Sequence, residues 1–155
     1  MNNSMLRQGL YSAPEVNSLI EKVREAVLER LRSREHYVFL VNKASSAGAI
    51  RYDKLRVQSS NTFDIGDLIL EAIEAEKKVA YQEERYKETM DLFRSLMDSA
   101  KFTPTQQNIW TKRYAESQTM GHIAKQLNIT KSKVQYLLND NYADKLASAI
   151  RERSN

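Results

Sequence analysis

Between Thr119 and Asn139 the chain gathers side chains of the kinds that recognise nucleic acid. Lys131, Ser132, Lys133, Gln135, Tyr136 and Asn139 stand close together in TKSKVQYLLN. Lys donates to guanine O6 or N7, Gln and Asn pair with adenine, and Ser or Tyr hydrogen-bond to phosphate. Lys125 and Lys133 suit the phosphate backbone, and the hydroxyls of Thr119 and Thr130 stand beside them. The candidate DNA contacts are therefore Thr119, Lys125, Thr130, Lys131, Ser132, Lys133, Gln135, Tyr136 and Asn139. The competing reading is a helical hairpin of some other all-α protein, with Lys and Gln only solvating its outer face.

These side chains need elements to aim them. Ile123, Leu127, Ile129, Val134 and Leu137 recur as two short amphipathic helices joined by a bend. Ala124 sits where two steeply crossing helices need a small side chain. Asn128 sits at the bend, where left-handed backbone is required and Asn tolerates it next best to Gly. Thr119 and Thr130 each precede a helical run and can cap free N–H groups. The pattern is a helix-turn-helix, whose second helix, about Lys131 to Asn139, packs through Val134, Leu137 and Leu138.

The rest of the 155 residues limits what else the chain does. It has no cysteine, and His36 and His122 are far apart in sequence, so no metal site is expected. There is no Gly-rich phosphate loop and no nucleophile with a His partner, so neither an enzyme nor a cofactor is expected. No stretch approaches about 18 apolar residues, and the start, MNNSMLRQGLYSAPEV, lacks an apolar core; no membrane contact and a cytoplasmic location are expected. Charge is uneven: +4 over residues 1 to 60, −5 over 61 to 100 and +5 over 101 to 155. The basic last third suits phosphate, and the acidic middle suits contact with protein.

In chain order, the first ten residues are polar and expected to fray. Ser12-Ala-Pro-Glu15 predicts a helix start with Ser12 as cap, and Val16, Leu19, Ile20, Val23, Val27 and Leu31 form its apolar stripe to about Glu35 or beyond. Arg30, Arg32 and Arg34 read as a solvated face. Tyr37 to Val41 either extends this helix or forms a short buried strand, Ser45 to Gly48 reads as a loop, and Arg51 to Thr62 as an extended basic connector. From Asp64 to about Ala100 runs the longest periodic segment, with Ile65, Ile69, Ala72, Glu76, Val79, Glu83, Tyr86, Met90, Phe93, Met97 and Ala100 at steps of four and three. Glu76 and Glu83 interrupt that seam unless Lys or Arg answers them. Thr103-Pro-Thr-Gln106 opens a helix that turns Ile109, Trp110 and Tyr114 inward, and Tyr142, Leu146 and Ile150 line a last helix.

Phe102-Thr-Pro-Thr-Gln106, Trp110-Thr-Lys-Arg-Tyr114, Met120-Gly-His-Ile-Ala-Lys-Gln-Leu127 and Ile129-Thr-Lys-Ser-Lys-Val134 resemble region 4 of bacterial sigma factors, over about a third of the chain. The whole layout resembles the RinA/ArpU-type late transcription regulators of phages and prophages of Gram-positive bacteria. Asn128 replaces the Gly often found at the bend, and residues 1 to 60 match no sigma region. The resemblance implies an activator that binds a promoter ahead of phage packaging and structural genes, with host RNA polymerase as a possible second partner.

Together these readings predict an all-α protein: residues 1–62 as an amino-terminal helix and basic connector, 63–100 as a long scaffold helix, and 101–155 as the helix-turn-helix domain. The expected function is sequence-specific binding of double-stranded promoter or operator DNA by a homodimer paired through its long helix. The alternative is a protein-interaction module, an adaptor or inhibitor that grips RNA polymerase or another phage or host protein. A third reading, a sigma-like subunit acting only within polymerase, predicts no promoter binding by the isolated chain.

Overall fold

The computed structural model describes residues 11–54 and 65–155, the side chains of 47–54 excepted, and every regular element among them is an α-helix. In order they are α1 (Pro14–Lys54), α2 (Ile65–Ser99), α3 (Pro104–Tyr114), α4 (Met120–Leu127), α5 (Lys131–Leu137) and α6 (Asp140–Ser154). None is long and apolar enough to cross a membrane. The chain divides into two compact units, Met1–Glu25 with Lys87–Asn155, and Ala26–Tyr86, so each long helix contributes to both.

The second unit is a helical hairpin. On α1 the residues turned to its partner are Ala26, Arg30, Ser33, Tyr37, Leu40 and Ala44, and on α2 they are Leu68, Ala72, Ala75, Val79, Gln82 and Tyr86, all buried or half-buried. Both sets step by four and three, the period that keeps two helices in contact along a seam. Leu40, Leu68 and Ala75 form its small core, with Tyr37, Ala44 and Ala72 packed against them. At the other end Arg30 donates to Glu83 at 2.9 Å and lies 4.2 Å over the Tyr86 ring, while Arg34 also reaches Glu83. Arg30 meeting residues 83 and 86 while Leu40 meets 68 and 75 makes the pair antiparallel.

This hairpin corrects several expectations. Of the two readings of Tyr37–Val41 the helix extension holds, and α1 runs on through Ser45 to Gly48 and to Lys54, so the loop does not form and Arg51 to Lys54 are helical rather than extended. That stretch contains no proline, and Ala44, Ala47 and Ala49 offset the single glycine, which costs about 1 kcal/mol against alanine. At 41 residues α1, not α2, is the longer rod. The seam of α2 is turned by one position from the expected one: Ile69 and Glu76 are exposed, Glu83 is half-buried, and Leu68, Ala75 and Gln82 take the three places inside. Leu31 likewise lies outside, 51% exposed. The remainder of the connector, residues 55–62, and the first ten residues lie outside the described residues.

The first unit takes Val16, Leu19, Ile20 and Val23 from the start of α1 and Met90, Phe93, Leu96 and Met97 from the end of α2 as its apolar floor. Ser12 is not the cap of α1. Asn17 closes that start instead, accepting from Tyr11 N at 2.8 Å and donating to Tyr11 O at 2.7 Å, while Glu15 pairs with Arg151 of α6 at 3.0 Å. The turn from α2 to α3 is a Schellman motif: Phe102 N–H bonds to Met97 O, Lys101 N–H to Asp98 O, and Lys101 has φ 62. It delivers Phe102 inward next to Trp110, with ring centroids 5.4 Å apart.

Arg30 beside Glu83 holds that carboxyl below its ordinary value of 4.5. A carboxyl lowered on folding stabilises the fold above its ordinary pKa, and the gain is lost as pH falls through the lowered value. Melting temperature should therefore fall more steeply below about pH 4.5 for the natural chain than for Glu83→Gln. Equal slopes in the two proteins would contradict this role for the pair.

Candidate nucleic-acid interface

Three helices of the first unit, α3, α4 and α5, pack on one another and carry the surface. Each is capped by the threonine expected of it. Thr103 accepts from Gln106 N, Thr119 from His122 N and Thr130 from Lys133 N, all at 3.2 Å. The bend between α4 and α5 is a second Schellman turn, with Ile129 N–H bonding to Ala124 O at 3.0 Å and Asn128 in left-handed geometry at φ 56, ψ 46. Ile123 and Ala124 on α4 and Val134 on α5 are buried, so the small residue is packed rather than exposed.

The exposed side of α5 is polar. Lys131, Ser132, Lys133, Gln135 and Tyr136 all face solvent, and Thr119, Lys125 and Thr130 are exposed beside them. Capping uses the acceptor side of the two threonine hydroxyls and leaves each O–H free to donate. Asn139 is placed differently: half-buried, with its Oδ1 accepting from Tyr142 N at 3.2 Å, it caps α6. Tyr136, 61% exposed, meets Tyr142 edge-to-face at 5.9 Å. The hydrogen bond to Tyr136 raises the Tyr142 hydroxyl above its ordinary pKa, and the contact steadies the Tyr136 ring from one side.

What orients α5 is a feature the sequence pattern does not reveal. At seven residues it is too short to persist alone, since isolated helices below about 12 residues are marginal in water. Its final carbonyls are held from behind by three donors. Trp110 Nε1 donates to Leu137 O at 2.9 Å, Gln106 Nε2 to the same oxygen at 3.3 Å, and the Tyr11 hydroxyl to Leu138 O at 2.8 Å. The Tyr11 ring stacks on Trp110 at 5.4 Å and its oxygen also meets the Tyr114 hydroxyl. Tyr11 stands 127 residues before Leu138 in the chain, so no local spacing signals the contact. Gln106, buried within the capping sequence, finds in Leu137 O the acceptor that a buried amide requires.

Set against protein-family models, curated proteins and solved structures, the chain matches none. The chemistry of this surface is therefore argued from its own residues: cations, amide and hydroxyls on the outside of a short helix, an apolar back, and no carboxylate between Thr119 and Asn139 to repel phosphate.

Tyr11→Phe removes the donor to Leu138 and the bond to Tyr114, at about 0.5 to 1.5 kcal/mol for each hydrogen bond, and should lower the urea midpoint accordingly. Burial raises the Tyr11 and Tyr114 hydroxyls above their ordinary value of 10.0. The folded chain thus keeps protons that the unfolded chain releases, a stabilisation present below pH 10 and lost as pH rises beyond it. The loss should be smaller in Tyr11→Phe; identical alkaline transitions would contradict the buried pair. Ala124→Leu should overpack the crossing and cost roughly 1 to 3 kcal/mol. A melting temperature equal to the natural chain's would contradict that packing.

Proposed function

We propose that the chain is a sequence-specific DNA-binding transcription regulator that reads the major groove with α5. The observation that carries this reading is the outward row Lys131, Ser132, Gln135 and Tyr136 on a helix fastened at its back and at both ends. A reading helix must present base-seeking side chains in fixed orientation, and this one does so with a full row exposed. Lys125 and Lys133 take the phosphates, helped by the hydroxyls of Thr119 and Thr130, and Asn139 serves the helix that follows. The resemblance to sigma region 4 and to RinA/ArpU-type regulators supports the narrower proposal of a phage or prophage activator of late genes, working in the host cytoplasm, with RNA polymerase as its second partner.

The purified chain should retain a common short sequence from a pool of random duplex DNA. In Gln135→Ala about 1 to 3 kcal/mol of discrimination should disappear at one base pair of that sequence while the fold stays intact. In Lys125→Ala and Lys133→Ala affinity should fall alike for all sequences, and the slope of binding against salt should flatten by about one phosphate contact each. A pool with no enriched sequence, together with protein capture that does not weaken with salt, would favour the protein-interaction module instead.

A further inference from the structure

Of the large apolar and aromatic side chains left exposed among the described residues, Tyr136 alone lies outside residues 26–86. Although exposed, its ring is not loose. Its hydroxyl shares a hydrogen bond with that of Tyr142, and the two rings meet edge-to-face, 5.9 Å apart at 86°. Tyr142 is itself a fixed post. Its backbone N–H is bound by Asn139 at 3.2 Å, its ring stands perpendicular to that of buried Phe102 at 6.0 Å, and Lys145 Nζ lies 5.1 Å from its ring centroid. Phe102 in turn packs on Trp110, whose indole holds the end of α5. The Tyr136 ring is therefore tied into the same aromatic group that orients the helix carrying it.

A ring held in place before contact loses little freedom on binding. Tyr136 stands one turn beyond Ser132 and beside Gln135, in the row that α5 turns to the groove on the DNA reading, on which this inference rests. Two roles are open to a tyrosine in that row. Its hydroxyl can meet a phosphate, which is the same on every base pair, or its ring can meet the edge of a base. The hydroxyl of Tyr136 is tied to α6 through Tyr142, which leaves the ring as the part of the side chain free to meet DNA. In the major groove the one methyl group on a base edge is the C5 methyl of thymine, whereas guanine, adenine and cytosine present hydrogen-bond donors and acceptors there. We propose that the Tyr136 ring packs on the C5 methyl of a thymine and so fixes one A·T pair of the bound site in a single orientation. This gives Tyr136 a part in choosing the sequence, not in holding the backbone.

The probe is the duplex that the natural chain enriches from the random pool, with each thymine replaced in turn by deoxyuridine, which lacks only the methyl group. Fluorescence anisotropy at fixed salt should show affinity falling about fourfold at one position, as expected for the loss of one buried methyl group. Tyr136→Ala should bind the thymine duplex more weakly and no longer distinguish it from the deoxyuridine duplex at that position. Tyr136→Phe, which keeps the ring without the hydroxyl, should distinguish them as the natural chain does. An enriched site with no fixed thymine, affinity indifferent to deoxyuridine at every position, or a distinction that persists in Tyr136→Ala would each overturn the proposal and leave α5 as the reading helix. So would a distinction lost in Tyr136→Phe, which would place the hydroxyl rather than the ring against the DNA. A pool with no enriched sequence would overturn the DNA reading and this proposal with it.

Discussion

The indole of Trp110 donating to the last carbonyl of α5 is the interaction on which the placement of that helix's exposed polar face depends. A helix of seven residues offers its backbone few internal hydrogen bonds, and its outer face is committed to polar side chains that contribute little to packing. Its position must come from outside itself. Thr130 fixes the start, Val134 fixes the back, and Trp110, Gln106 and Tyr11 fix the end. Trp110 can do this only because its own ring is clamped between Tyr11, Phe102 and Tyr114. A slip of one residue along α5 would turn its side chains by about 100° and move Gln135 off the exposed row.

The hairpin of residues 26 to 86 meets a different constraint. Its inner seam is thin, with Arg30, Ser33 and Gln82 among the inward positions and Ala26, Leu40, Leu68 and Ala75 as its buried apolar residues. Two helices held by so little apolar surface gain from ion pairing at one end. The Arg30 and Arg34 pair on Glu83 supplies it at the point where the sequence places a carboxylate on the seam's edge.

Features set by neighbouring residues were legible in the sequence. Thr103, Thr119 and Thr130 cap as their positions predict and Asn128 takes the left-handed bend, because each depends on residues within one turn, and Ala124 is buried as expected. The all-helical class was legible for the same reason. The register of α2 was not. Ala72, Val79, Tyr86 and Phe93 belong equally to the expected and the observed seam, and only the partner helix decides which flank, Ile69 and Glu76 or Leu68 and Ala75, turns inward. The Ser45 to Gly48 stretch was misleading because loop-forming composition yields to a helix that is already propagating and meets no proline. The role of the Tyr11 hydroxyl was invisible, since its partners are Tyr114 and Leu138, more than a hundred residues away.

The central claim is that the outward face of α5 is the surface that touches DNA. An NMR titration of the full chain with duplex DNA tests this most directly, residue by residue. The account predicts that the largest amide shifts fall on Thr119, Thr130 and Lys131 to Tyr136, while the Trp110 indole N–H keeps its protection because its bond to Leu137 persists in the complex. Shifts confined to residues 26 to 86, or no shift on α5 at duplex concentrations that saturate binding, would contradict it.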